Sequence, residues 1–244
     1  MAGETFEDVS LRGARFVRAD LSGAVMRAVD IAGADIDAPW LLDGESVLRV
    51  NGVDVAPLVE AELERRFPGY AQRRASDLDG LRANWARLED VWAATLARVS
   101  RMPVGTVDVS VDGEWSLSQT LRHLVMAIDT WLRGAILRVD SPYHPIGQPN
   151  AEYATDGHDP SVFRSDVPPY DEVLEVWRDR SAMVREFLAG QTESDLDGMR
   201  SNPWAPDYDE TVRSCLHTIL EESWEHHRFA TRDLDAIEAT GGDA

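Results

Sequence analysis

The 244-residue sequence predicts a mainly α-helical protein, in which a four-helix bundle is preceded by a short solenoid. Four long segments place apolar residues three and four positions apart, as on the buried face of an α-helix. Residues 6–41 instead place an apolar residue at every fifth position, a period that neither a helix nor a strand has. We therefore divide the chain into a repeat segment (1–41), a connecting hairpin and short helix (42–74) and the bundle (75–244).

The composition excludes several classes of function. A net charge of -20 argues against binding to nucleic acid or to anionic membranes. The chain has no apolar run long enough to span a bilayer and no basic-then-apolar signal sequence, so we expect a cytoplasmic protein. The single cysteine, Cys215, excludes an internal disulfide and a cysteine-only metal cluster, and we expect it to be a small buried residue. All 24 basic residues are arginine, which excludes lysine Schiff-base chemistry and is typical of a GC-rich bacterial genome.

The first segment carries an unbroken five-residue repeat. A short-period repeat of this kind indicates a solenoid. The segment resembles the pentapeptide-repeat family, in which the centre residue and a small residue two positions earlier point into a right-handed, four-sided β-helix. The resemblance implies fewer than two full coils, too few to bury the solenoid's own ends, and we expect a structural cap on the following domain. The centre residues are Phe6, Leu11, Phe16, Leu21, Met26, Ile31, Ile36 and Leu41.

The connecting unit has two local signals. Asn51-Gly52 between two β-rich pieces predicts a hairpin over residues 46–55. Pro57 in the first turn predicts a short helix over residues 56–66. Neither signal indicates a function.

Periodicity and capping residues predict the four bundle helices over residues 77–100, 117–139, 170–188 and 216–234, and the apolar stripe of the last helix extends from Val212 to Ile237. Ser116 followed by Gln119 forms a capping box at the start of the second helix. Residues 140–169 break the pattern with six prolines, and a loop of that length in a compact chain is more often functional than not. Tyr143 and His144 in this loop are therefore candidates to contact a substrate, and His158 is a further candidate to cover the site.

The last helix carries the candidate site. Glu222 lies four residues before His226, so the two side chains lie about one turn apart on the same side. Ionisable groups beside a core stripe need a partner, and E-x-x-x-H lets one helix present two ligands to one metal ion. A solvated face, with His favoured near a helix C-terminus, is the alternative. His217, Glu221, Trp224 and Arg228 form another face, which we assign to the outer surface.

The second helix supplies a third ligand, His123, in the motif W-S-x-x-x-x-L-x-H-L over residues 115–124. This motif, the proline-rich loop and the E-x-x-x-H pair resemble the DinB superfamily, which includes the mycothiol-dependent maleylpyruvate isomerases. The resemblance covers residues 77–238 and implies a DinB-like four-helix bundle with a metal bound by His123, Glu222 and His226. Most members have H-x-x-x-H, and that register would place Ser223 and His227 at the site. Serine is a poor zinc ligand, so His227 is kept as an alternate ligand only.

The resemblance also implies a chemistry. Two His and one Glu with a free fourth position suit a catalytic metal, zinc by default, with nickel or iron(II) as alternatives. Such a metal activates a low-molecular-weight thiol towards a small electrophile, for S-transfer or isomerisation. Arg122 is a candidate for binding a substrate carboxylate, no residue is assigned a catalytic role, and the resemblance implies a homodimer. The alternative is a non-enzymatic metal-binding or protein-interaction protein that uses the pentapeptide-repeat surface.

Overall fold

The structure is a computed structural model that describes residues 4–42, 44 and 46–241. It divides after Ala38 into two compact units, each of which is described by itself below. The second unit carries all the helices that the structure describes. None of these helices is both long and apolar enough to cross a membrane.

The first unit repeats its backbone conformation every five residues. Positive φ angles recur from Asp8 to Gly33 at this interval, at Asp8, Gly13, Arg18, Gly23, Ala28 and Gly33. Every second repeat closes a hydrogen-bonded turn, in which Ala14, Ala24 and Ala34 donate their N–H groups to the carbonyl oxygens three residues earlier, at 2.9–3.0 Å. Residues 4–38 contain no β-strand and leave their centre side chains exposed. The sequence repeat is therefore a conformational repeat, and the right-handed β-helix stays a prediction.

The second unit begins with the predicted hairpin. Strands β1 (Arg49–Val50) and β2 (Val53–Asp54) pair antiparallel, and the turn residues Asn51 and Gly52 both have positive φ angles. Two consecutive positive φ angles are the mark of a type I′ turn, which is why Asn-Gly favours it. Helix α1 (Ala56–Arg66) follows with a proline in its first turn, as the sequence predicts. A 3₁₀ turn over Tyr70–Arg74 then leads to the bundle.

The four long helices are α2 (Leu78–Val99), α3 (Leu117–Ile128, continued as a π-helical segment Asp129–Ile136), α4 (Tyr170–Gly190) and α5 (Val212–Gly241). Helix α2 packs on α4 and α5, and α3 packs on the same two helices. This arrangement confirms the four-helix bundle and places α3 directly beside α5. A short antiparallel pair, β3 (Met199–Ser201) and β4 (Asp209–Thr211), lies between α4 and α5.

Local sequence explains where the helices begin. Ser116 accepts a hydrogen bond from the Gln119 N–H, and the Gln119 side chain accepts one from the Ser116 N–H, so the predicted capping box is present. Asp77 caps α2 by accepting from the Gly80 N–H at 2.7 Å. The predicted inward stripes form a single core between the helices. Its fully buried members include Leu81, Leu88, Trp92, Leu121, Leu124, Leu132 and Trp224.

Candidate metal centre

Helices α3 and α5 bring three metal-ligating side chains together. The Glu222 Oε2 atom lies 3.4 Å from His123 Nε2 and 3.3 Å from His226 Nε2. One ligand atom from each residue lies within 4.8 Å of the other two. The pair on α5 is local, because residues four apart on a helix share a face. The third member depends on the tertiary structure, because His123 lies near the pair only where α3 packs on α5.

The spacing of the three ligand atoms suits one ion. A tetrahedral zinc ion with ligand bonds of about 2.0–2.2 Å holds its ligand atoms roughly 3.3–3.6 Å apart. The two distances to the Glu222 oxygen fall in this range. Two imidazoles and one carboxylate supply three ligands and leave further positions open, as in metal sites that act on a bound molecule. The donor set therefore fits a divalent transition metal.

A backbone carbonyl orients the first imidazole. His123 Nδ1 lies 2.9 Å from the carbonyl oxygen of Gln148 in the loop between α3 and α4. A carbonyl oxygen only accepts, so Nδ1 carries the proton in this hydrogen bond. The lone pair of the neutral ring is then on Nε2, the atom that faces Glu222. The loop therefore selects the tautomer that binds a metal.

Aromatic rings line the cluster. Trp115 stacks on His226 with an interplanar angle of 20°, and its ring centroid lies 4.6 Å from that of His123. Phe229, one turn after His226, packs edge-on against the same imidazole at 5.8 Å. Trp115 directly precedes the capping box of α3, so the start of that helix holds the indole in place. The sequence motif contains Trp115, but nothing local shows that its ring contacts two ligands.

The local electrostatics keep the ligands deprotonated. Burial raises the pKa of Glu222, but His123 and His226, when protonated, donate hydrogen bonds and positive charge that outweigh burial and hold this pKa well below its usual value. Burial lowers the pKa of His226, and the neighbouring Glu222 only partly offsets that shift. Metals bind ionised carboxylates and neutral imidazoles. At neutral pH, Glu222 and His226 are therefore in their metal-binding forms.

His227 lies outside the cluster. Its Nε2 atom is 2.9 Å from Thr95 Oγ1, and its ring packs against Trp92 in the bundle core. Burial lowers the pKa of His227 to about 4. The neighbouring Ser223 donates its hydroxyl to the Ile219 carbonyl oxygen at 2.7 Å. One step along a helix turns a side chain by about 100°, so His227 and His226 point to different neighbours.

The four candidates for substrate contact, of which Arg122 lies on α3 and the others lie in the loop, anchor the loop and are not in the cluster. Arg122 is buried and donates from Nε to the Ile146 carbonyl oxygen at 2.8 Å. Tyr143 packs against Phe163, and the His144 N–H donates to the buried Asp129 carboxylate at 2.7 Å. His158 packs against Tyr153 and Trp204. These residues fix the shape of the loop that delivers the Gln148 carbonyl.

The outer-surface assignment on α5 is wrong for Trp224. This side chain is fully buried, and its indole N–H donates to the Asn84 side-chain oxygen at 2.9 Å. His217 lies 2.9 Å from the Ala75 carbonyl oxygen, and Glu221 pairs with Arg74. The 3₁₀ turn before α2 covers this face of α5, which helix periodicity alone could not show. Cys215 is buried as expected, and burial raises its pKa to about 11.

Comparisons with known proteins assign the two parts of the chain separately. A family model of the DinB superfamily matches residues 87–230, which include the whole His123, Glu222 and His226 cluster. A family model of pentapeptide repeats matches residues 6–37 in eight copies. No curated protein and no solved structure matches the chain.

Proposed function

Because this chain belongs to the DinB superfamily, we propose that it is a divalent-metal-dependent protein whose ion is held by His123, Glu222 and His226. The observation that carries the proposal is the convergence of these three side chains on one point between α3 and α5. Members of the superfamily usually bind a divalent metal. Zinc suits the donor set and spacing best, and nickel or iron(II) would accept the same ligands.

We further propose an enzymatic role, in which the protein activates a low-molecular-weight thiol for S-transfer to, or isomerisation of, a small electrophile. A metal of this kind with an open position lowers the pKa of a bound thiol or water. The chain itself contributes a fixed imidazole tautomer at His123 and an aromatic wall of Trp115 and Phe229. This wall offers apolar contact to a substrate and excludes water from one side of the site.

The test of the metal proposal is elemental analysis of protein purified without an affinity tag. We expect close to one equivalent of a transition metal per chain and a higher melting temperature with metal than without it, because an ion that binds only the folded state stabilises it. A metal content below a tenth of an equivalent per chain, together with no metal-induced rise in melting temperature, would contradict the proposal.

The thiol proposal needs its own experiment. Cobalt-substituted protein is titrated with cysteine, glutathione and mycothiol, and turnover is measured with maleylpyruvate and chlorodinitrobenzene as electrophiles. We expect a sulfur-to-cobalt charge-transfer band with at least one thiol, and turnover that disappears in His226→Ala. Stoichiometric metal without either signal would leave a metal-binding protein and remove the thiol chemistry.

A second candidate function rests on the repeat unit. A repeat element of this kind usually supplies a surface rather than chemistry, which favours a role in binding another protein through the pentapeptide-repeat surface, with the metal site non-catalytic. We also propose that this unit forms the right-handed β-helix of its family, which is supported by the positive φ angle at every fifth residue. Removing residues 1–38 separates the two functions. Unchanged thiol chemistry in the shortened chain supports the enzyme, whereas lost partner binding with full metal content supports the interaction protein.

A further inference from the structure

A small cavity lies in the bundle core, and none of the residues that line it belongs to the metal cluster. All four long helices contribute to its wall, with Trp85 and Trp92 from α2, Ile128 from α3, Ser181 from α4 and Ser223 from α5. These five residues are buried. The cavity has a volume of about 10 Å³. One water molecule needs about this much space, provided that polar groups surround it, so the size of the cavity suits a single water molecule.

Two tryptophans supply hydrogen-bond donors at this cavity. Trp85 and Trp92 are 4% and 2% exposed, and the Nε1 atom of each is buried with no acceptor among the described residues. Buried indole N–H groups usually have a partner, because an unpaired donor in the core destabilises the folded state. Trp224 shows this ordinary case, since its buried indole donates to the Asn84 side-chain oxygen at 2.9 Å. The two indoles at the cavity therefore need an acceptor that the described residues do not supply.

Two serines supply hydrogen-bond acceptors at the same cavity. The Ser181 hydroxyl donates to the Trp177 carbonyl oxygen at 3.0 Å. The Ser223 hydroxyl donates to the Ile219 carbonyl oxygen at 2.7 Å. A hydroxyl has one proton and two lone pairs, so each serine has used its donor and keeps lone pairs with which to accept. The residues around the cavity therefore offer two donors and two acceptors.

We propose that one ordered water molecule occupies this cavity, accepting from the two indole N–H groups and donating to the two serine hydroxyl oxygens. Water accepts two hydrogen bonds and donates two, and buried waters typically make about three. An anion would accept from both indoles, but it would also face the serine lone pairs and the carboxylate of Glu89, which borders the cavity. A cation would face the two N–H groups. Neutral water is the occupant that suits all four groups, and this proposal does not depend on the metal site.

The water joins three helices of the bundle. Its donors lie on α2 and its two acceptors lie on α4 and α5, and α2 packs on both of these helices. The site also explains why a serine directly follows Glu222. One step along a helix turns the side chain by about 100°, so Ser223 is buried in the core while Glu222 faces His123. In the core, the Ser223 hydroxyl serves as an acceptor for the water.

The first experiment detects the water by NMR in the full-length protein. A water held near an indole proton gives cross-peaks of opposite sign in NOESY and ROESY spectra, whereas proton exchange with solvent gives the same sign in both. We expect opposite signs at the indole protons of Trp85 and Trp92, with Trp85→Phe and Trp92→Phe used only to assign the signals. Trp224 is the matched control, because its buried indole already donates to a side chain, and it should show no water cross-peak. A missing cross-peak at either Trp85 or Trp92, or equal cross-peaks at all three indoles, would overturn the proposal.

The second experiment measures whether the two serines act through one shared water. Ser181→Ala and Ser223→Ala are made singly and together, and urea unfolding gives the unfolding equilibrium constant of each variant. The first substitution already weakens the hold on the water, so the second should have a smaller effect. We expect the double variant to fall short of the product of the two single effects by on the order of fivefold.

A control cycle combines Ser181→Ala with Thr231→Ala. The Thr231 hydroxyl also donates to a carbonyl oxygen four residues earlier, but Thr231 does not line the cavity. The effects of these two substitutions should multiply, because no shared water connects them. Effects that multiply in the serine pair as well would show that the two hydroxyls act independently and would count against the water.

Discussion

His123 donates its Nδ1–H group to the carbonyl oxygen of Gln148 across 2.9 Å. The neighbouring Arg122 carbonyl oxygen accepts the Gln148 N–H at 3.1 Å, so the loop runs along two consecutive residues of α3. This relationship links the long proline-rich loop to the candidate metal centre. The loop holds the imidazole through a backbone carbonyl group. The loop side chains that the sequence analysis selected, Tyr143, His144 and His158, do not contact it.

The two histidines of the cluster should be essential for metal binding. His123→Ala and His226→Ala should each lower the metal content from about one equivalent to near zero, because two ligands hold an ion poorly. Glu222→Gln should keep part of the affinity, since an amide oxygen still coordinates but carries no charge. Elemental analysis and calorimetric titration check these outcomes. His227→Ala should melt at a lower temperature yet bind metal normally, and metal loss in that variant would contradict the site described here.

Trp115 should support the ligand geometry without being a ligand. Trp115→Ala removes the ring that packs on both imidazoles, and we expect a roughly tenfold weaker metal affinity, as for other groups that orient ligands. Trp115→Phe should recover most of the loss because it restores an aromatic face. Competition with a chelator gives the affinities. Trp204→Ala, which removes an indole that is not in contact with the cluster, is the control and should bind metal as tightly as the wild type.

Acid should destabilise the metal-free protein through His227. Burial lowers the folded-state pKa of His227 from 6.5 to about 4, so the unfolded chain binds this proton more readily than the folded one. The contribution of neutral His227 to the free energy of unfolding is therefore complete above pH 6.5. It decreases as the pH falls towards 4, by up to about 3 kcal/mol. Chemical denaturation at several pH values measures how the free energy of unfolding changes with pH. His227→Gln should show a flatter profile, whatever its absolute stability, and an unchanged slope would assign the effect to other groups.

The buried pair between Asp129 and Arg180 should be important for stability. The Asp129 carboxylate is fully buried, lies 2.6 Å from Arg180 Nε and also accepts the His144 N–H. In Arg180→Met the buried Asp129 carboxylate keeps its contact with Arg133 but loses its closer partner. We expect the free energy of unfolding to fall by about 3 kcal/mol. Arg185→Met breaks an exposed pair with Glu89 and should cost less than about 1 kcal/mol. Equal losses in the two variants, measured by urea unfolding, would show that burial of the pair is unimportant.

The sequence by itself determined the features that depend on neighbouring residues. The capping box at Ser116, the hairpin at Asn51-Gly52 and the one-turn spacing of Glu222 and His226 follow from backbone geometry over two to four residues. The inward stripes of the helices could also be predicted, because a 3.6-residue period identifies the apolar face.

Only the tertiary structure decided which faces meet. Trp224 is buried because a 3₁₀ turn some 150 residues earlier covers it, and His227 is a core residue because α2 presents Thr95 to it. The Gln148 carbonyl has no signature in sequence, since every residue has one and only the path of the loop brings this one to His123. Periodicity identifies a face of a helix but not its neighbour, because contacts between distant segments depend on how the whole core packs.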